Sequence, residues 1–329
     1  MNIIVIGLGS MGKRRVRLIK QYIEKEKLLN WIVAGVDSQT NRCKDAQEEC
    51  GIMTYISIDD AMKHQQFDAA VISTSPLSHN AIIKTCLNEG LHVFTEINLV
   101  SDGYNENMLL AKQKSKQLFL SSTPMYRREM EFITNMARKC KRGTYHYHIG
   151  QYLPDWHPWE EYNNFFVGNK RTNGCREIFA IELPWILNAF GNIVEMKCIH
   201  RKTSELQIDY DDTYMVQILH SSGIIGALMV DIVTPKAGRE FEFYGEYFYC
   251  EWKGTPDSLK IMDPDSKTLR CMNLYEEYEH IDGYNNFVVE NAYYDELVNY
   301  FNSIRKLEKP RYSFEKDIEV LDIIDKIEA

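Results

Sequence analysis

No CxxC pair occurs among the eight cysteines, which stand scattered at Cys43, Cys50, Cys86, Cys140, Cys175, Cys198, Cys250 and Cys271. A disulfide framework or structural zinc site is therefore not expected, and reduced thiols fit best. No run approaches the ~20 apolar residues that a membrane span needs. The opening MNIIVIGLGSMG lacks the charged start and cleavage site of a secretory signal. Positive charge is also short: the net charge is −9, against a phosphate-backbone partner, which needs a positive footprint. Internal repeats and low-complexity segments are missing too. A cytoplasmic protein with neither nucleic acid nor membrane as partner is expected, and no metal site is expected.

A chain of 329 residues suits two domains. Its first part alternates short apolar runs with amphipathic stretches, the pattern of a parallel sheet with crossover helices. Strands are predicted at Ile3–Ile6, Ile32–Val36, Ala69–Ser73, His92–Thr95 and Leu118–Ser121, short and β-branched as doubly buried strands are. Helices are predicted at Gly12–Glu26, Arg42–Cys50, Ser57–Lys63, Ser78–Asn88 and Tyr104–Ser115. After a helix near Pro124–Cys140 the texture changes: TYHYHIGQY, YMVQILH, GIIGALMVDIVT and FEFYGEYFYCEW alternate at period two, as an antiparallel sheet with one covered face does. A helix at Arg176–Phe190 interrupts it, and Asn291–Arg305 and Phe314–Glu328 close the chain.

IIVIGLGSMGKRRVR runs strand, turn and helix together, with Gly7, Gly9 and Gly12 in GxGxxG spacing. Such glycines permit the turn, the approach of a pyrophosphate and close helix–strand packing, and the helix N-terminus favours the phosphates. The basic stretch Lys13-Arg14-Arg15 is expected to face solvent or phosphate. Asp37, closing the second strand, suits both hydroxyls of an adenosine ribose and disfavours a 2′-phosphate, so NAD is preferred to NADP. Arg42 and Lys13 soften that preference. Ser73 and Thr74, at the carboxyl edge of the third strand, are candidate nicotinamide-ribose contacts, and His79 is either a ligand contact or a helix N-terminal residue.

GLGSMGKRR, ISTSPLSH, HVFTEINL and the terminal AYYDELVNYFNSIRKLEKPRYSFEKDIEVLDII, in that order, resemble the Gfo/Idh/MocA oxidoreductase family. The resemblance implies an α/β fold: an N-terminal Rossmann doubly wound parallel sheet (1–122) and a C-terminal α+β domain with a large open, mostly antiparallel sheet (123–290). It also implies that helices of 291–329 pack back on the first domain. Sugars or nucleotide sugars are the implied substrates, NAD the cofactor, and a homodimer or homotetramer the assembly. By the family's pattern Gly7, Gly9, Ser10, Met11 and Gly12 form the phosphate turn, Asp37 is the ribose acid, and Thr74 and His79 belong to the turn after the third strand. Glu96 is the glutamate of the family's Glu-Lys-Pro, and Arg127 falls near an arginine after the fifth strand.

The departures matter more. Ile97 stands for the lysine and Asn98 for the proline, leaving Asn98 to offer its amide at the cofactor edge. In TNGCREIFAIELPWILNAFG the Asp position falls on Ile178 and the His position on Glu182 or Ile181. The family's Lys/Asp/His set is therefore not carried. Oxidising a secondary alcohol still requires a base. One source is GQYLPDWHPWEEYNNFFVGN, where His157 is the candidate base and Tyr152, Asp155, Trp156 and Trp159 are candidate sugar contacts. This loop is either a substrate site or an aromatic latch, and it resembles family members of surface-polysaccharide sugar pathways. The other source is Arg176-Glu177 with Glu182: a buried carboxylate as acid–base and Arg176 gripping a carboxylate or phosphate, or an internal Arg–Glu pair. Lys236 either meets a substrate phosphate or is a solvated loop lysine.

Three readings stand: an NAD(P)-dependent sugar oxidoreductase with a non-lysine acid–base, a net non-redox sugar enzyme using bound NAD, and a catalytically silent NAD(P)-binding sensor or partner protein.

Overall fold

The computed structural model describes residues 1–140, 142–157, 160–279 and 287–329. The chain divides into two compact units, one of residues 1–122 and 293–318, the other of residues 123–292 and 319–329.

The first unit alternates strand and helix: β1 (Asn2–Ile6), α1 (Ser10–Lys25), β2 (Ile32–Val36), α2 (Thr40–Cys50), β3 (Met53–Tyr55), α3 (Ile58–His64), β4 (Ala69–Ile72), α4 (Pro76–Asn88), β5 (His92–Thr95), α5 (Tyr104–Lys114) and β6 (Leu118–Leu120). All strand pairs are parallel, in the order β3-β2-β1-β4-β5-β6. This is the doubly wound order, and its reversal between β1 and β4 opens a crevice at their carboxyl ends. Ile3–Val5 of β1 and all of β4 are buried on both faces, which explains their unbroken apolar runs. The three-residue β3 was not predicted, its MTY being too short to show a period. Ser57 caps α3 by accepting from the Asp60 amide at 3.1 Å, a contact worth ~1 kcal/mol.

The second unit holds α6 (Arg128–Lys139), β7 (Thr144–Gly150), α7 (Gly174–Phe190), β8 (Ile193–Arg201), β9 (Thr213–His220), β10 (Ile225–Asp231), β11 (Gly238–Gly245), β12 (Phe248–Trp252), β13 (Lys260–Met262) and β14 (Leu269–Cys271). Among the described residues they form an eight-stranded sheet ordered β14-β13-β12-β11-β7-β10-β9-β8. It is mostly antiparallel as expected, with one exception: β7 and β10 run parallel. The connection between them contains α7, and parallel neighbours need such a long crossover. Alternation on β7 buries Tyr145, Tyr147 and Ile149, with Tyr147 and Tyr145 meeting Trp185 and Phe190 of α7. The register places Ile199, Met215 and Ile225 on the opposite face, exposed by 77%, 53% and 53%.

Two helices end the chain, α8 (Glu290–Ile304) and α9 (Phe314–Ile327). Not all of this segment groups with the first unit: residues 319–329 belong to the second. Within that segment Asp325 and Glu328 are both held by Arg176, and Leu321, Ile324 and Ile327 are buried. No helix among the described residues is long and apolar enough to cross a membrane.

Candidate functional site

The turn after β1 is built from main chain. Gly7 takes φ +89°, where a side chain is strained, and a Cβ there would lie 2.6 Å from the Ser73 carbonyl oxygen. A Cβ on Gly12 would fall 1.8 Å from the Gly7 carbonyl oxygen. Gly9 differs: the one atom within reach of its missing Cβ is Arg42 Nη1, at 3.9 Å. Two glycines are thus demanded by packing, while the third faces open space. No side chain caps α1. A helix start with bare backbone and room in front of it fits a pyrophosphate. Ser10 and Met11 form the first residues of that helix, Ser10 exposed.

Asp37 is buried at the end of β2, its Oδ2 accepting from the Leu8 amide at 2.8 Å and its Oδ1 from the Gln39 amide at 2.9 Å. Each oxygen keeps one lone pair for a ribose hydroxyl. Arg42 Nη1 stands 3.8 Å from Oδ2. Lys13 is turned away, its Nζ bonded to both oxygens of Glu49.

Two of the three residues of the basic stretch, Arg14 and Arg15, do not face solvent. Arg15 is wholly buried: its Nε and Nη2 donate to Glu96 at 2.6 and 3.0 Å, and Nη2 also donates to Glu296 at 2.7 Å. Burial alone would lower the guanidinium pKa, but the two carboxylates outweigh it and raise it. Burial raises that of Glu296, whose Oε1 accepts from Ser121 Oγ and the Ser122 amide. Arg14 is buried as well, 4.7 Å above the Tyr293 ring. Glu96 is therefore a partner of Arg15 first, with Ser73 Oγ donating to it at 3.4 Å.

His79 and Asn98 are corrected likewise. Each is only 2% exposed, too deep for ligand contact. Burial holds the imidazole pKa below its ordinary value, and Nε2 lies 2.9 Å from the Thr74 carbonyl. The Asn98 amide lies 2.5 Å from Nδ1. Together they brace the turn that carries Ser73 and Thr74, both half-buried. Ile97, in the lysine position, is half-buried too.

In the second unit three of the predicted charged residues, Glu182, Arg176 and Arg127, prove to be committed. Glu182 is fully buried: Oε2 accepts from Tyr147 Oη at 2.8 Å and Trp185 Nε1 at 2.7 Å, and Oε1 from Arg239 at 2.9 Å. It is the centre of a network of buried side chains. Arg176, capped by Asn173, pairs with Glu328 at 2.5 Å and Asp325 at 2.7 Å, so it grips the chain's own carboxylates. Arg127 donates to Glu129, Gly254 and Phe287 and is buried against Trp252, so its donors are spent within the second unit.

Glu177 lies in the first turn of α7. Its Oε2 is enclosed without a hydrogen-bond partner among the described residues, and burial pushes the carboxyl pKa up to about 8. His157 stays accessible, its side chain 33% exposed, with Nδ1 3.6 Å from Glu160 and the ring 4.1 Å from Phe165. Tyr152, Asp155 and Lys236 are exposed, and Trp156 donates to the Gln151 carbonyl at 3.1 Å. Trp159 lies outside the described residues. His148 donates to the buried Asp231 at 2.7 Å, a pair not foreseen; His146 is exposed. Arg239, Tyr147 and Glu296 were also missed, and no sequence signal links them to partners 35 to 281 residues away.

Residues 1–121 match the GFO_IDH_MocA model, an oxidoreductase family with an NAD-binding Rossmann fold. Human biliverdin reductase A is 27% identical over 133 residues, 40% of this chain and 43% of that protein; the chain thus spans less than half the length of the curated relatives it matches. Two solved structures share the fold across nearly the whole chain. The WlbA dehydrogenase of Bordetella pertussis, in complex with NADH and UDP-GlcNAcA, has a TM-score of 0.76 at 14% identity, covering 99% of this chain and 94% of its own. The UDP-N-acetylglucosamine 3-dehydrogenase GnnA of Acidithiobacillus ferrooxidans has a TM-score of 0.75 at 14% identity, covering 99% and 96%.

Proposed function

We propose that this chain, a Gfo/Idh/MocA-type NAD-binding oxidoreductase through its first 121 residues, moves a hydride to or from a secondary alcohol carbon of a sugar or nucleotide sugar. The observation that carries the reading is the phosphate turn, with Gly9 facing open space while Gly7 and Gly12 are packed shut. The fold shared with dehydrogenases solved with NADH and a UDP-sugar supports the substrate class. When bound, the nicotinamide supplies the hydride acceptor or donor.

The chain itself must handle the proton. Isoleucine at position 97 cannot, and Glu182 is locked in its network. We assign the proton to Glu177. A carboxyl with pKa about 8 is largely protonated at neutral pH, so it donates to a carbonyl oxygen in the reducing direction, while its ionised form, which grows as pH rises towards 8, accepts the hydroxyl proton in the oxidising one. Tyr152 and Trp156, on the accessible loop, supply faces for a sugar or base, and Asp155 accepts hydroxyl donors. His157 is a substrate contact in this reading.

The exposed apolar face of the second sheet supports assembly into a homodimer or larger oligomer, which light scattering on the purified chain measures. Eight free thiols suit a reducing compartment such as the cytoplasm, and a role in polysaccharide sugar synthesis accords with the substrate class. The decisive experiment is a calorimetric titration with NAD followed by turnover on a panel of UDP-sugars. Binding with turnover that falls ~100-fold or more in Glu177→Gln supports the reading. Binding without turnover on any sugar favours a silent sensor, and no binding at all removes the oxidoreductase.

A further inference from the structure

We propose that Asn98 is a positioning residue: its amide nitrogen donates to His79 Nδ1, fixes that ring in its neutral Nε2–H form, and so holds the turn that carries Thr74. The consequence for the cofactor rests on the dinucleotide reading above. His79 Nε2 lies 2.9 Å from the Thr74 carbonyl, an oxygen that can only accept. A neutral imidazole has one N–H, which is spent there and leaves Nδ1 as a lone pair. Nδ1 lies 2.5 Å from the Asn98 amide and 3.2 Å from Thr95 Oγ1. The two ends of an amide have the same shape, so the partner decides which one faces the ring. With the oxygen there, two acceptors meet, and the Asn98 nitrogen is enclosed without a hydrogen-bond partner among the described residues. With the nitrogen there, both faults vanish. The oxygen then turns to a small cavity lined in part by Asn80, Asp102 and Tyr104, and a buried C=O short of partners is better tolerated than a buried N–H.

The other resolution is an imidazolium donating at both nitrogens, which needs a buried cation. Glu96, the carboxylate that acts on the ring, is already bound by Arg15. Beyond the amide, Asp317 is met by Tyr104 and Tyr312. Neither acid is left to pair with a charged His79. The brace also reaches the phosphate turn, because Ser73 and Thr74 press on Gly7. A Cβ on Gly7 would lie 2.6 Å from the Ser73 carbonyl oxygen and 2.9 Å from Thr74 Cγ2. A shift of the Thr74 backbone is therefore passed to the turn that faces the pyrophosphate.

Ring-nitrogen NMR of the full chain, beside fluorescence titration with NADH, tests this without turnover. His79→Gln identifies the His79 signals among the nine histidines and keeps an amide donor where Nε2 stood. The wild-type ring is expected to be neutral, with its proton on Nε2, at neutral pH. Asn98→Asp, whose carboxylate can only accept, is expected to protonate both ring nitrogens. Asn98→Leu and His79→Leu are each expected to weaken NADH by ~tenfold, while His79→Gln stays within ~threefold of wild type. A wild-type ring protonated at Nδ1 overturns the inference and leaves the cofactor reading intact; that spectrum decides the donor even if Asn98→Leu does not fold. NADH affinity unmoved by Asn98→Leu overturns it as well, and so does a loss in His79→Gln as large as in His79→Leu. Failure of the wild type to bind NADH sinks the cofactor reading, and the positioning role with it.

Discussion

In the turn before α1 the atoms offered to a ligand are main chain; around α7 every polar atom of interest is a side chain. The first region is held by glycines whose missing Cβ atoms decide the geometry. The second is held by Glu182, Arg239, Tyr147 and Trp185, four side chains that satisfy one another. A main-chain site needs few residue types and shows in the spelling. A side-chain site shows only its members, and whether a glutamate is free or spent depends on what folds against it.

The largest expected effect breaks the first region. In Gly12→Ala a Cβ would sit 1.8 Å from the Gly7 carbonyl oxygen, and the backbone must move. A loss of about 3 kcal/mol or more, or no folded protein, is expected in urea unfolding. Gly9→Ala is the control, since its Cβ meets nothing nearer than 3.9 Å. It is expected to unfold at nearly the wild-type midpoint while losing NAD affinity in calorimetry. Equal destabilisation by the two would show that the open space before Gly9 is not there.

The next effect compares the two buried ion clusters. Arg15→Met strands Glu96 and Glu296 and is expected to cost about 3–5 kcal/mol. Arg239→Met strands Glu182, but Arg239 is partly wet, with 22% of its side chain exposed, and water can relax into the gap. A smaller loss, about 2 kcal/mol, is expected there. A reversed order in denaturant midpoints would mean that the cluster at α1 is the more hydrated of the two.

Both clusters also mark where the sequence stopped being legible. The doubly wound sheet was readable because strand, glycine turn and helix follow one another within a dozen residues. The alternation of the second sheet was readable too, but not its parallel β7–β10 pair, because period two is blind to direction. Arg14 and Arg15 read as solvent residues, since nothing near them announces Glu296, 281 positions on from Arg15. Arg176 and Glu182 lie on one helix and invite pairing with each other; the fold instead sends Arg176 to α9 and Glu182 to β11. Asn98 and His79 were visible as polar residues near the cofactor edge, but not that both lie beneath it.

Glu177 sharpens the comparison by pH. Its carboxyl rises from an ordinary 4.5 to about 8 on folding, so the folded chain holds a proton that the unfolded chain releases. The associated stability is whole below pH ~4.5 and is lost as pH climbs towards ~8, by up to ~1.4 kcal/mol per pH unit. Glu177→Gln removes that slope, so its stability relative to wild type should increase between pH 5 and 8 in denaturant titrations. A difference that stays flat with pH would place the carboxylate in water and withdraw it as the proton carrier.

The smallest effect separates Glu177 from the loop that competes with it. His157 is a third exposed, and its Glu160 partner is exposed as well, at 3.6 Å. A pair so wet contributes between zero and about 1 kcal/mol, and the ring's contact with Phe165 adds little that water does not replace. His157→Ala should therefore leave the unfolding midpoint almost unmoved. If the imidazole only touches substrate, KM rises a few-fold while kcat and its pH profile hold, as expected when binding is lost uniformly from ground and transition state. A fall in kcat with a changed pH profile would transfer the proton from α7 to the loop. The side-chain region would then have two candidates that geometry ranks and only the pH profile can order.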